Sequence, residues 1–343
     1  MIRRADVALA AALSLLAAGA SAQDGLSIAT GAEGGTYVAM GRDIARVAGE
    51  AGVAVEVRES AGSLQNLWAV RYTPGVQLGI VQNDLRAFLE ARVDGTAPSD
   101  LDEAGRAELD RLLGSVKRVM ALHTEELHLL ASGDVASIED LEGQLVAFGR
   151  SGGASFITAE RVFSEAGVRV DVLADVPAEE AIGLLREGTI KAMVYVVGQP
   201  AALFRDGIAL GDDVALLPLD VPSLRTRYEP ATIRADSYPW LTEDVATLSV
   251  RSLLVSYDYE NETNCRLIGE VAEAVRARLD RLRGEGHEKW LDVDPDAPVE
   301  GWAGYDCAGA SGDTAGAAEA DNAPGAPTPP AGGSIMDRLR GLR

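Results

Sequence analysis

An α/β protein of two lobes is the architecture predicted for this 343-residue chain. Strand-like and helix-like segments alternate along it, the pattern of α/β units built on parallel sheets. Two apolar runs, residues 119–131 and 246–256, are long for single strands. They can pass between lobes and back, which makes a hinge of two extended segments. The length between the termini suits two lobes of ordinary domain size.

Residues 1–22 read as a signal peptide. Arg3 and Arg4 supply the positive start, residues 7–19 an apolar run too short to span a bilayer, and Ala20-Ser21-Ala22 a cleavage site that leaves Gln23 first. No cysteine follows the apolar run, so no lipid anchor is expected, and a soluble protein in a Gram-negative periplasm is the expectation. The lobes are expected at 23–125 and 126–222, with 223–307 returning to the first lobe through C-terminal helices. Strands are predicted at 26–29, 53–58, 76–81, 119–131, 145–148, 168–172, 192–197, 214–219 and 246–256. Helices are predicted at 37–50, 63–70, 82–90, 137–141, 155–166, 177–186, 199–205 and 261–283. The first of these helices, 37–50, has an apolar side in Val38, Ile44, Ala45, Val47 and Ala48. The tail, 308–343, is rich in Gly, Ala and Pro and reads as disordered. At its end Ile335, Met336, Leu339 and Leu342 can share one face of a short terminal helix, either idle or a docking peptide.

The formal charge of −22 argues against nucleic acid and anionic membranes as partners. Cys265 and Cys307 are the only cysteines, an even pair in an oxidising compartment, and are read as a disulfide. In the chain-entropy picture such a loop contributes roughly 4 kcal/mol. His123 and His128 lie five apart in a predicted strand and so point to opposite faces, a poor metal geometry. No zinc-type spacing, Walker loop or dinucleotide fingerprint is present. Nothing resembles an activated nucleophile. No enzyme activity, metal or cofactor is expected.

The most informative stretch is Thr30-Gly31-Ala32-Glu33-Gly34-Gly35-Thr36-Tyr37, a glycine-rich turn between the first strand and the first helix. Gly34 and Gly35 leave backbone N–H groups at a helix start, where an anion is favoured. Thr36 can cap the helix and reach a carboxylate. Ser60, Ser63 and Asn66 follow the second strand, and either cap the next helix or face a cleft. Gln82, Asn83 and Asp84 stand at the carboxyl end of an apolar strand, where open α/β sheets bind ligands. Asp84 is either a helix cap or the partner of a ligand ammonium. Arg150, Ser151, Gly152, Gly153 and Ser155 form a second strand–loop–helix turn. Arg150 is either solvated or paired with a carboxylate. Gly198 and Gln199 close the list at the end of another strand.

These segments together resemble the TAXI subfamily of TRAP transporter solute receptors. IATGAEGGTYVAMG at 28–41 is similar to its N-terminal signature, ESAGSLQNL at 59–67 to its S-x-G-S-x-x-N-L segment, and LGIVQND at 78–84 to its A-I-V-Q-S-D segment. FGRSGGAS at 148–155 and AMVYVVGQP at 192–200 resemble its second-lobe turns, and the similarity covers residues 26–290. Val38 replaces the second of a usual tyrosine pair, Ser155 a usual threonine, and Arg150 a usual small residue. The resemblance implies a type II periplasmic-binding-protein fold with a ligand cleft between two lobes. It implies a monomeric receptor that hands a small organic acid or amino acid, such as glutamate, to TRAP-type integral membrane subunits driven by an ion gradient. The alternative is a periplasmic sensing module for a signalling partner.

Overall fold

The computed structural model describes residues 25–206, 214–259 and 261–306. The expected signal peptide, the tail with its terminal segment, and Cys307 lie outside the described residues. The first lobe is built from β1 (Leu26–Ala29), α1 (Thr36–Glu50), β2 (Val55–Arg58), α2 (Ser63–Tyr72), β3 (Leu78–Gln82), α3 (Leu85–Val93) and α4 (Glu103–Ser115). β4 (Val116–Ser132) leaves it. The second lobe holds β5 (Leu145–Gly149), α5 (Ala154–Ala166), β6 (Asp171–Ala174), α6 (Ala178–Arg186), β7 (Ala192–Val197), α7 (Ala202–Asp206), β8 (Val214–Leu216) and β9 (Glu229–Ile233). β10 (Val245–Tyr257) returns to α8 (Glu262–Ala277), α9 (Leu279–Glu285) and a 3-10 turn, Glu288–Asp292.

Among the described residues ten strands join one sheet, in the order β2-β1-β3-β10-β4-β7-β5-β6, with β8 on β4 and β9 on β10. β1 lies parallel between β2 and β3, and β5 lies parallel between β6 and β7, so the two lobes repeat one plan. The two long strands cross as expected. β10 pairs with β9 through residues 245–249 and with β3 through residues 252–256. β4 pairs with β10 from Val116 to Glu126 and with β7 from Glu126 to Ala131. This is the two-lobed α/β architecture that the resemblance implies.

One face of the sheet carries a single apolar core shared by both lobes, with Leu67, Val70 and Val81 from the first and Phe148, Phe156 and Val162 from the second. On the other face each lobe has its own smaller cluster, around Ile44 and Ile268 in the first and Ile182 and Phe204 in the second.

Several elements differ from expectation: α3 starts at Leu85 rather than 82 and β6 at Asp171 rather than 168, and four further differences are larger or bear on the site. α4 is an additional helix: the Asp102 carboxylate accepts from the Gly105 N–H at 2.8 Å, and Leu109, Leu112 and Leu113 are buried. β9 is an additional strand, whose Glu-Pro start and exposed outer residues mask its pattern. The predicted C-terminal helix divides at Arg278, which leaves the helical region at φ −117° and ψ 17°. α7 starts at Ala202 rather than 199, since Pro200 holds Gln199 out of helical conformation. In addition, residues 233–241 pack on the second lobe, where the Tyr238 hydroxyl bonds His128 Nε2 at 2.7 Å and accepts from the Ala201 N–H at 3.1 Å. The return crossing therefore lies within β10 rather than at 223.

Candidate functional site

A cavity of about 570 Å³ opens between the lobes. Its walls are the loop leading from β1 into α1, the turn at Ala61 and Gly62, the loop leading from β5 into α5, the start of α6, β7 with the segment that follows it into α7, and His287 with Glu288. These loops follow the carboxyl ends of parallel strands, the usual ligand position in open α/β sheets. Gly34 sits at φ +79°, a conformation that favours glycine, and turns the chain so that Gly35 becomes the N-cap of α1. No side chain caps α1, and Thr36, Tyr37 and Val38 of its first turn line the cavity. α5 repeats this from the other lobe: Gly153 is its N-cap, no side chain caps it, and Ala154 and Ser155 line the cavity. Helix starts left open in this way present N–H groups and the positive end of the helix dipole to the same space.

Glu125 supplies the floor. It is 3% exposed and borders the cavity from the middle of β4. Its Oε2 accepts from the Tyr37 hydroxyl at 2.9 Å and from Gln82 Nε2 at 3.2 Å. Its Oε1 stands 4.0 Å from His123 Nε2, beyond hydrogen-bond distance. Burial pushes the Glu125 carboxyl up to about 8 and Glu126 adds to this, while the bonds from Tyr37 and Gln82 and the charge of Lys289 oppose it. Burial also raises the Tyr37 hydroxyl well above its ordinary value, with Glu125 next in effect. His123 is held well below its ordinary value by burial first, then by Lys289. The Ser252 hydroxyl fixes its ring, meeting Nδ1 at 2.9 Å and donating to the His123 carbonyl at 3.0 Å. Next to Glu125, Glu126 is paired: Lys289 Nζ lies 2.9 Å from its Oε1 and the Gln199 N–H 2.7 Å from its Oε2. Among the described residues no group of three or more His, Cys, Asp or Glu is placed to hold a metal ion, and no helix is long and apolar enough to cross a membrane.

Residues 28–272 match the NMT1-like family, most of the described chain. The chain belongs to the NMT1-like family. No curated protein matches it. Among solved structures, one described as a periplasmic transporter is 16% identical, with 81% of this chain and 89% of that one covered and a TM-score of 0.48. The GluR0 ligand-binding core of Nostoc punctiforme in complex with L-glutamate is 17% identical, covering 78% and 100% with a TM-score of 0.43. A histidine kinase sensor domain with similarity to periplasmic binding proteins is 14% identical, covering 80% and 98% with a TM-score of 0.44.

This NMT1-like protein distributes the residues singled out from its sequence between the cavity and the structure around it. Gly34, Gly35, Thr36, Tyr37, Arg150, Gly153 and Ser155 line the cavity. The Ser155 hydroxyl also accepts from the Val196 N–H at 3.0 Å, which seats α5 on β7. Gln82 reaches the site through Glu125. The others hold the frame. The Ser60 hydroxyl donates to the Thr30 carbonyl at 3.0 Å and accepts from the Gly62 N–H. Ser63 does not cap α2, whose N-cap is Gly62; its hydroxyl accepts from the Gln82 N–H at 3.2 Å. The Asn66 amide donates to the carbonyls of Thr30 and Ile80 and ties β1 to β3. Asn83 exchanges backbone and side-chain bonds with Arg251.

Asp84 is the N-cap of α3 by position, without a side-chain cap bond. Its Oδ2 accepts from the hydroxyls of Thr158 at 2.8 Å and Tyr228 at 3.2 Å, both from the second lobe. Ser151 bonds Asp175 through N–H and hydroxyl. Gly152, at φ +71°, accepts from the Leu64 N–H at 3.3 Å across the lobes. Gly198 packs on the Lys289 stem, where a Cβ would lie 2.6 Å from Cε. The Gln199 side chain donates to the Thr232 carbonyl and accepts from Arg234 N–H and the Ser237 hydroxyl.

Glu125, Glu126, His123 and Lys289 are the site residues that sequence reasoning passed over. For Glu125 and Glu126 the signal is a pair of adjacent glutamates flanked by the apolar runs of a long strand, since buried charge requires a local partner.

Proposed function

We propose that this protein is an extracytoplasmic solute receptor of the TAXI type, which binds a small organic acid or amino acid between its lobes and delivers it to TRAP-type membrane subunits. The observation that carries this reading is the pair of uncapped helix starts, α1 and α5, which open on one cavity from opposite lobes. Such starts hold an anion by N–H groups, each contributing about 1.5–3 kcal/mol to a charged partner. They belong to different lobes, so one carboxylate bridging them favours the closed arrangement. Arg42 and Arg150 stand exposed on the cavity wall, where each can meet the same anion, while Arg205 lies 3.7 Å from Glu288 and is balanced by it. The site binds and does not transform its ligand. The protein is exported to the periplasm as a monomer, with Cys265, buried on α8, paired to Cys307.

Native mass spectrometry of the exported protein tests this. A co-purifying organic acid or amino acid, an N-terminus at Gln23, and a 2 Da mass gain on reduction are the expected results. Uptake of that solute into vesicles bearing TRAP-type subunits, dependent on added receptor and on an ion gradient, tests delivery. An empty protein that binds no member of a panel of such acids overturns the reading.

A further inference from the structure

We infer that Glu125 selects ligands bearing an amine: the ligand's ammonium seats on Glu125 Oε1 at the floor while its carboxylate meets the first turns of α1 and α5. This rests on the proposed receptor reading and adds what that reading leaves open, namely which of the two ligand classes the cavity takes.

Glu125 is enclosed by protein on every side but one. Its Oε2 is occupied by two donors, Tyr37 and Gln82. Its Oε1 has no hydrogen-bond partner within the cluster, and the residue borders the cavity. The nearest cation inside the protein, Lys289, is already engaged by Glu126 and by Asp292 at 2.7 Å. The cavity thus has an ionisable carboxyl at its floor and the positive ends of two helices at α1 and α5. A zwitterion matches that order. An ammonium gains an ion pair with the ionised Glu125, whereas a keto oxygen can gain only a neutral hydrogen bond from the protonated carboxyl.

The same geometry couples binding to a proton. The charged and titratable groups around Glu125 are Tyr37 from α1, His123 and Glu126 from β4, Tyr195 from β7 and Lys289 from the 3-10 turn. With its carboxyl at about 8, Glu125 is mostly protonated at neutral pH. An arriving ammonium stabilises the carboxylate, and the displaced proton goes to solvent. A keto acid has no ammonium to displace the proton, and would keep it in place.

Calorimetric titration with matched pairs tests this: L-glutamate against 2-oxoglutarate, and L-leucine against 4-methyl-2-oxopentanoate, at pH 7 in buffers of differing ionisation enthalpy. The expected result is that the wild type binds the amine member of a pair ~30-fold more tightly and releases close to one proton. Glu125→Gln should bring the preference within ~3-fold and abolish the release. Equal binding of both members, proton uptake, or a preference that survives Glu125→Gln would overturn the assignment while leaving the receptor reading in place. Binding of neither member of any pair overturns both. Preference and proton count are read on the wild type, so the test stands even where the variant does not fold.

Discussion

Two buried carboxylates, Asp84 and Glu125, are built alike and do different work. Each accepts from one tyrosine hydroxyl and one neutral donor: Tyr228 and Thr158 for Asp84, Tyr37 and Gln82 for Glu125. Burial raises both carboxyls above the ordinary range. Each also has one oxygen without a protein partner within hydrogen-bond distance. The difference lies in what surrounds that oxygen. Asp84 Oδ1 is sealed inside the contact between the lobes, and its donors come from the opposite lobe. Glu125 takes its donors from its own lobe and borders the cavity. Burial, a tyrosine and a shifted titration mark structural knots as readily as sites, so access for a ligand atom is what separates the two.

The largest expected effect breaks the knot. Asp84→Ala leaves the Tyr228 hydroxyl buried without its acceptor and the Thr158 hydroxyl with only the longer bond to Gln82 Oε1 at 3.4 Å, and should cost about 2–4 kcal/mol in urea unfolding, against about 1 or less for Glu125→Gln. Because Asp84 joins the lobes, its loss should weaken every ligand by a similar factor, and an effect confined to amines would put Asp84 in the site after all.

Next comes pH. A carboxyl raised by folding binds its proton more tightly in the native than in the unfolded chain. Between its unfolded value near 4.5 and its folded value of about 8, the native state therefore holds the extra proton. Stability contributed by that proton is present at low pH and falls as pH rises through this window, by up to about 1.4 kcal/mol per unit. Glu125→Gln should flatten this slope; an unchanged slope would mean that Glu125 is already ionised in the empty protein.

Smaller again, Tyr228→Phe should cost about 1 kcal/mol of stability and leave the proton release on ligand binding untouched. The smallest effect on stability is expected for Tyr37→Phe, within about 1 kcal/mol. Its signature is electrostatic: a donor that holds the Glu125 carboxyl down is lost, so the pH at which proton release is half complete should move upward. Identical behaviour of the two tyrosine variants would erase the distinction between the carboxylates.

The fold was largely legible because it is written in local patterns. Alternating apolar runs marked nearly every strand and helix, and the length of residues 119–131 and 246–256 marked the two crossings. α4 carried readable signals in Asp102 and its leucines. β9 did not, because Glu229 and Pro230 face outward on a short strand. The site was legible only where the backbone makes it, at the glycine-rich starts of α1 and α5. Glu125 depends on a register that places the middle of β4 beneath a cavity walled by distant loops, and no local pattern reports that. Asp84 shows the converse error: a polar residue at the carboxyl end of a strand is well placed for a ligand until the second lobe supplies Thr158 and Tyr228.

The apolar layer running beneath both lobes has a thermodynamic consequence. Lobes joined only by two strands would melt as separate units. Here Leu67 and Val81 share a core with Phe148 and Phe156, so neither half can lose its packing while the other keeps its own. Scanning calorimetry should show one peak, with calorimetric and van't Hoff enthalpies equal. Any bound solute should shift that peak whole rather than split it, and the protein's heat resistance becomes a direct reading of how full its cavity is.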